Sequence, residues 1–332
     1  MRRTASRLTL LHVRPTIAPM KIGNSWITIR RWAAVCVLLA GGVMLTCCDR
    51  ADNSSPSGTA GAKRVVSFSP AITQMMFDMG LGEQIVGVTR FCKLPAGVQR
   101  PRVGDALSFN SEAILAVRPD VVLTQTAPAK FQGVRDIDGH VKIISLGIES
   151  LDDIPAAMMT IGKELGCGKI AREKADAFSQ AIEAVEYRVR LLPRKRTVFV
   201  MGTDRPIVAG EGTFVADMIT SAGGTNVGAA IPGQAIWRLT QIEAIIKVRP
   251  DVLICQAASG EEDAAKAYWM QWKDIPAVAS GHVYVVSDSG WSIPGTHLGG
   301  LLPKMAAMIH VELPASGATT RPASVPVEGK GP

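Results

Sequence analysis

Residues 112–125 read EAILAVRPDVVLTQ, and residues 243–256 read EAIIKVRPDVLICQ. Nine of these fourteen positions are identical, at an offset of 131 residues. A second pair follows each of them, GHVKIIS at 139–145 and GHVYVVS at 281–287. Each copy opens on a helical pattern, turns at Arg-Pro-Asp and enters an apolar run of strand length. Proline disfavours helical geometry in the residue before it, so the helix stops there and a strand begins. A repeat this long, seen twice, is two lobes of like topology rather than a solenoid.

Working outward, β-branched runs alternate with helical segments over 64–312. Strands are expected near 64–67, 84–88, 120–124, 141–146, 197–201, 206–209, 251–255 and 283–287. Helices are expected near 70–79, 110–117, 151–165, 212–222, 240–248, 261–270 and 294–309. This alternation predicts an α/β fold of two Rossmann-like lobes with mainly parallel sheets. Between the copies, Phe178, Ile182, Val185, Val189 and Leu192 are spaced four, three, four and three. They form one apolar stripe, so 169–193 reads as a single long helix joining the lobes. Such a strut restricts movement of one lobe against the other. The expected domains are 64–168, the helix 169–193, and 194–312.

The flanks are of another kind. The formal net charge is +7, but residues 1–48 hold seven of the 36 basic residues and no acid. The remainder has 29 basic and 29 acidic residues, which leaves no nucleic-acid footprint. Arg30 and Arg31 precede an uncharged run from Trp32 to Thr46, too short to span a bilayer comfortably and suited to a signal-peptide core. It ends in Leu45-Thr46-Cys47-Cys48, which resembles a bacterial lipobox. Cys48 is the expected lipidation site, with Cys47 as the alternative. Residues 1–48 are thus read as a lipoprotein signal peptide, starting at Met1 or Met20, with a twin-arginine signal as a poorer fit. Residues 49–63 read as a flexible tether and 313–332 as a disordered tail. Only Cys92, Cys167 and Cys255 follow the leader, so disulfides cannot be the framework.

Sites of chemistry are sparse. No phosphate-loop lysine motif and no nucleophile elbow occurs, and Gly210-Glu211-Gly212 lacks the third glycine of a dinucleotide fingerprint. No His, Cys, Asp and Glu set has the spacing of a metal site. An enzyme on this scaffold would need a base and a nucleophile that His297 and Asp288 alone do not supply.

Several segments carry a resemblance. Arg64-Val-Val-Ser-Phe-Ser-Pro70-Ala71, Gly80-Leu-Gly-Glu-Gln-Ile-Val-Gly-Val88 and Glu112-Ala-Ile-Leu-Ala-Val-Arg-Pro-Asp120 resemble the helical-backbone periplasmic binding proteins of ABC importers. Gly87-Val-Thr-Arg-Phe-Cys-Lys-Leu-Pro95, and Trp237 six residues before Glu243, look most like the corrinoid-binding branch. The resemblance implies an exported, lipid-anchored, monomeric protein without enzymatic activity or cofactor. It implies a bulky metal chelate as ligand: cobalamin or another corrinoid, with iron siderophore or haem as the alternative. It also implies an ABC permease dimer with its ATPase as partner, although a ligand-sensing lipoprotein that meets no permease is a rival. The chain departs from the corrinoid pattern before its last helix. There it has Ile293-Pro294-Gly295-Thr296-His297, with both arginines of that branch missing.

The expected ligand contacts are Ser69, Pro70, Phe91, Phe109, Trp237, Asp288, Trp291 and His297. Ser69 could equally be a helix cap, and Phe109 and Trp237 could be core residues. Trp237 is read as lying on a loop before a helix, and Trp291 on a loop after the last strand. Glu112 and Glu243 occupy matching places in the two copies. The helix dipole favours a carboxylate there by about 0.3–1 kcal/mol. The resemblance adds a docking role against permease arginines, and a duplicated carboxylate suits a two-fold partner. His140 and His282 are read as structural, and Cys92 as a packed thiol rather than a metal ligand.

Overall fold

The computed structural model describes residues 62–105, 108 and 110–313. The expected cleavage region, Cys48 and most of the expected tether and tail lie outside these residues.

The first lobe runs β1 (Val65–Phe68), α1 (Pro70–Asp78), β2 (Ile85–Val88), α2 (Ser111–Ala116), β3 (Val121–Thr124), α3 (Gln132–Ile137) and β4 (Lys142–Ser145), and α4 (Asp153–Glu164) follows. Its sheet has the order β2-β1-β3-β4, and every neighbouring pair is parallel. β1 and β3 are buried along their whole length, as parallel strands covered on both faces must be, and they read VVSF and VVLT. Next comes α5 (Gly168–Val189).

The second lobe runs β5 (Lys195–Met201), β6 (Ile207–Ala209), α6 (Phe214–Ser221), β7 (Gly224–Asn226), β8 (Trp237–Leu239), α7 (Ile242–Lys247), β9 (Val252–Gln256), α8 (Glu262–Trp269), α9 (Pro276–Ala279), β10 (Val283–Val286) and α10 (Leu298–Ile309). Its sheet has the order β10-β9-β5-β6-β8, with β7 also paired to β5. β10, β9, β5 and β7 pair in parallel, whereas β6 pairs antiparallel with both β5 and β8. The lobes are therefore alike only in part. The second adds an antiparallel edge that its repeat motif does not encode.

α5 is the expected strut, about 33 Å long at 1.5 Å per residue. It ends at Val189, three residues before the stripe runs out, because the chain turns before Pro193. Ala171, Ala175, Phe178, Val185 and Val189 are its buried positions. It packs on α4 from one side and on α10 and α6 from the other. α4 and α5 approach so closely that a Cβ on Gly162 would sit 2.3 Å from that of Ala171. The main hydrophobic core is continuous across this helix. It holds Ile72, Met75 and Met158 of the first half together with Phe199, Met218 and Leu302 of the second. Each lobe has its own smaller cluster on the far face of its sheet. A shared core is a physical reason for limited lobe motion, beyond the stiffness of one helix.

Some expectations shift. The helix expected from residue 212 starts at Phe214, because Thr213 caps it by accepting from the Ala216 amide at 3.1 Å. The helix expected from Pro294 starts at Leu298. Lys63, assigned to the tether, is fastened to the fold: its ammonium donates to the Glu164 carbonyl at 2.8 Å and to its carboxylate at 2.7 Å. Lys142 reaches the same carboxylate at 2.5 Å, and the hydrogen bonds of these two lysines hold Glu164 below the usual carboxylate range. Leu313, assigned to the tail, packs against the core. Among the described residues no helix is long and apolar enough to cross a membrane.

Candidate functional site: a cleft between the lobes

Ligands of open α/β sheets bind beyond the carboxyl ends of the strands. Here β1 delivers α1 to that edge in the first lobe, and β10 delivers the segment 287–297 in the second. Between them lies a pocket of about 370 Å³. Pro70, Gln74, Phe77 and Asp78 of α1, with Lys93, Leu94 and Pro95 of the loop after β2, form one wall. Asp288, Ser289, Gly290, Ile293 and His297 form the other.

α1 can do this because it has two faces. Ala71, Ile72, Met75 and Met76 are buried in the core, which leaves Pro70, Gln74, Phe77 and Asp78 on the cleft side. The opposite wall is shaped by hydrogen bonds. Asp288 caps a short 3-10 turn, Ser289–Ser292, by accepting from the Gly290 amide at 2.9 Å. The Gly290 carbonyl accepts from Nε2 of His297 at 2.8 Å. Gln256, at the end of β9, donates to the Asp288 carbonyl at 3.3 Å.

Two contacts join the walls directly. Thr296 donates its hydroxyl proton to the Asp78 carboxylate. Lys93 and Asp288 approach to 3.9 Å, with side chains 74% and 63% exposed, so that pair is strongly screened. Behind the cleft, the Asp217 carboxylate of α6 accepts from the Leu151 amide at 3.0 Å. Burial pushes the Asp217 carboxyl up, and the nearby Asp152 and Asp153 charges add to that.

Two unsatisfied polar atoms lie on the second-lobe wall, and a third is on Gln256 at the end of β9. Gln256 Oε1, Ser289 Oγ and His297 Nδ1 are buried and have no hydrogen-bond partner. Two of them, on Ser289 and His297, belong to residues that line the pocket and are available for polar contact with a guest.

Of the expected ligand residues, Pro70, Asp288 and His297 come together in this pocket. Ser69 is buried and makes no capping bond with its side chain; its hydroxyl donates instead to Gln125 at the end of β3. Phe91 is 60% exposed on the loop beside the cleft, with the Arg90 guanidinium stacked 4.7 Å from its ring. Arg90 is itself paired with the buried Asp105 at 2.7 Å. Phe109 lies outside the described residues.

The two tryptophans need correction. Trp237 is not on a loop but opens β8, half-buried and 6.0 Å from the Phe214 ring, because its strand pairs with β6. Trp291 is 3% exposed and belongs to the main core. The 3-10 turn that carries it presents Ser289 and Gly290 to the pocket and packs the indole inward. Trp291 is an anchor beneath the wall rather than part of its surface.

Cys92 is a packed thiol, as expected. It lies within 3.1 Å of the Thr73 hydroxyl and 3.0 Å of the Thr89 hydroxyl. Glu112 and Glu243 are both exposed in the first turns of α2 and α7. Each of these helices returns the chain to the start of a parallel strand, so both carboxylates sit toward the strand ends that open on the cleft. Glu243 also borders a groove of about 900 Å³ with Arg205, Leu239 and Tyr268.

Sequence reasoning missed Gln74, Phe77, Asp78 and Lys93. A signal for the first three existed. They lie at i, i+3 and i+4 on α1, opposite a fully apolar stripe, so a second functional face was readable. Lys93 had no such signal, since its place is set by an irregular loop.

Two α/β lobes on a shared helical spine, with a pocket walled by both, define a two-lobed solute-binding protein. A family model described as periplasmic binding protein matches residues 65–289, and the chain belongs to that family. It is 24% identical over 247 residues to an uncharacterized ABC transporter substrate-binding lipoprotein of Bacillus subtilis (strain 168), covering 72% of this chain and 77% of that one. It is 24% identical over 226 residues to the vitamin B12-binding protein of Yersinia pestis (strain Pestoides F), covering 66% and 78%. Among solved structures, the periplasmic vitamin B12 binding protein of Vibrio cholerae aligns with a TM-score of 0.67 at 18% identity, over 75% of this chain and 97% of that one. The apo periplasmic heme-binding protein of Roseiflexus sp. RS-1 aligns with a TM-score of 0.64 at 25% identity, over 76% and 99%.

Proposed function

We propose that this protein is the lipid-anchored substrate-binding component of an ABC importer, and that it captures a bulky metal chelate between its lobes. A cobalamin or another corrinoid is the first ligand; an iron siderophore or haem is the second. The single observation that carries this reading is the pocket walled by α1 on one side and by Asp288, Ser289 and His297 on the other, with buried polar atoms waiting on the second wall.

The chemistry of the cleft suits such a guest. Phe77, Leu94, Pro95 and Ile293 offer apolar surface to a macrocycle, and Gln74, Asp78, Lys93 and Asp288 offer partners to its amide or carboxylate arms. The pocket volume, about 370 Å³, lies at the low end of the range for ligand sites and is too small for a whole corrinoid. The guest therefore parts the walls, replacing the Thr296 to Asp78 hydrogen bond and the weak Lys93 to Asp288 pair. Phe91, on the loop that carries Lys93, flanks the site in this reading, and Ser69 lies beside Pro70 beneath it. The names of the Yersinia and Bacillus relatives support both the ligand class and the importer context. Release then occurs on a permease dimer, which Glu112 and Glu243 meet as paired charges that set register and encounter rate. The protein turns over no substrate.

The test is a titration of the purified protein with cyanocobalamin, cobinamide, haemin and ferric siderophores, followed by tryptophan fluorescence. A corrinoid is expected to bind at micromolar concentration or below. Binding of haemin alone moves the ligand to haem, and failure of the whole panel overturns the reading.

A further inference from the structure

His297 holds its two ring nitrogens in different states. Nε2 lies 2.8 Å from the Gly290 carbonyl oxygen. A carbonyl only accepts, so Nε2 carries the proton and the neutral ring keeps its lone pair on Nδ1. That nitrogen is buried and has no partner. The ring is flanked by two glycines: a Cβ on Gly290 would lie 2.9 Å from Cδ2, and one on Gly295 would lie 3.0 Å from Nδ1. Gln74 of the opposite wall reaches the same place, 3.1 Å from that Cβ position on Gly295. Nδ1 thus lies at the seam between the lobes, which the Thr296 to Asp78 hydrogen bond closes.

An imidazole with one nitrogen fixed by a backbone carbonyl and the other left as a free lone pair has the arrangement of a metal ligand. The fixed hydrogen bond selects the tautomer, orients the ring and raises the basicity of the open nitrogen. Among the described residues no group of three or more His, Cys, Asp or Glu could hold a bare ion. One nitrogen suffices, however, when the metal arrives with its equatorial positions already filled by a macrocycle.

We propose that Nδ1 of His297 coordinates the metal of the bound chelate as an axial ligand. This rests on the metal-chelate reading above, and it selects chelates with an exchangeable axial position. The step is a ligand exchange without redox change. The metal–water bond breaks, a metal–Nδ1 bond forms with the histidine lone pair, and water leaves.

The probes are diaquocobinamide and ferric haemin, added to the purified full chain, with binding read by fluorescence and coordination by visible absorption. Binding is expected to shift the visible bands toward those of the nitrogen-ligated complex. In His297→Gln, which keeps a donor for the Gly290 carbonyl, the shift should vanish and affinity should fall at least about tenfold, since loss of an outer-shell partner alone costs about 10–100-fold. In His297→Gly, free imidazole should restore the shift. Thermal unfolding of both variants checks that they fold. Binding of either chelate with an unshifted spectrum, or a shift that survives in His297→Gln, overturns the axial role and leaves the chelate-binding reading standing. Failure of both chelates to bind overturns the axial role, and the metal-chelate reading falls with it only when cyanocobalamin and the ferric siderophores fail as well.

Discussion

Arg64 and Asp120 clasp each other by their backbones and side chains across 56 residues of chain. The Arg64 amide donates to the Asp120 carboxylate at 2.6 Å, and the Asp120 amide donates to the Arg64 carbonyl at 2.8 Å. The Arg64 guanidinium donates to the carbonyls of Val117 and Arg118, both at 2.9 Å. Arg196 repeats every bond in the second lobe, with Asp251, Val248 and Arg249 as partners. The clasp explains the Arg-Pro-Asp corner. Among the described residues, Arg118 and Arg249 are the non-glycine residues at positive φ, 45° and 43°, a geometry that costs about 1–2 kcal/mol. Arg64 and Arg196 stabilise it by binding the carbonyls that the turn leaves free. Asp120→Ala and Asp251→Ala should each lower unfolding free energy by about 1–2 kcal/mol, by similar amounts in the two lobes. Urea unfolding measures both, and a neutral effect in either lobe removes the clasp as the reason for the corner.

Glu112 and Glu243 are exposed, and neither touches the cleft. The double reversal Glu112→Lys with Glu243→Lys should therefore leave ligand affinity within about twofold, and should lower the unfolding free energy by about 1–2 kcal/mol as two favourable helix-dipole contacts are lost. Uptake in cells that depend on this importer should be lost. Unimpaired uptake would sink the docking role.

Trp291 offers a way to separate core from cleft. As a buried anchor, Trp291→Ala should cost about 3–5 kcal/mol of stability. Lys93→Ala, on the pocket wall but exposed, should cost under about 0.5 kcal/mol while weakening ligand binding. Equal and small stability effects for both would return Trp291 to the surface of the site.

His310 ends α10 in full burial, and burial pushes its imidazole below the usual value despite Glu312 at 3.8 Å. The unfolded chain then binds the proton more readily, so stability is complete above the ordinary value of about 6.5 and declines as pH falls through it toward the lowered one. Urea midpoints at pH 7.5 and 5.5 should show this loss, and His310→Leu should flatten it. Gly223 is the matching constraint. It has φ +83°, and a Cβ there would lie 2.5 Å from His310 Nε2, so Gly223→Ala should destabilise by at least about 1 kcal/mol.

Burial pushes the Cys255 thiol up to about 11, and Cys92 is enclosed by two threonine hydroxyls. Native protein treated with iodoacetamide at pH 8 should keep both unmodified, while unfolded protein is alkylated. Rapid modification of the native form, read by peptide mass, would contradict this packing.

The lobes and their strut were legible because local rules were strong there. The apolar runs of β1, β3, β5 and β9 fit only strands covered on both faces, and the stripe from Phe178 to Val189 fits only a helix packed on one side. Legibility failed where pairing was non-local. β8 holds only Trp237, Arg238 and Leu239 and follows a Pro-Gly loop, so nothing local distinguishes it from that loop. Its strand state comes from β6, almost thirty residues earlier. Trp291 was misplaced for a related reason, since a tryptophan in a Gly- and Ser-rich segment reads the same whether its ring turns inward or outward.

From sequence alone followed the duplication, the α/β class, the joining helix, the neutral body behind a basic N-terminal stretch and the matched glutamates. These depend on periodicity, breakers and composition, which act over a few residues and survive without a partner. Tertiary structure alone decided which side chains share the cleft. Gln74 and His297 are over two hundred residues apart, and they meet only because one core, continuous across α5, holds α1 against the loop that precedes α10. Distance along the chain carries no information about that meeting; the packing of the two lobes on their spine does.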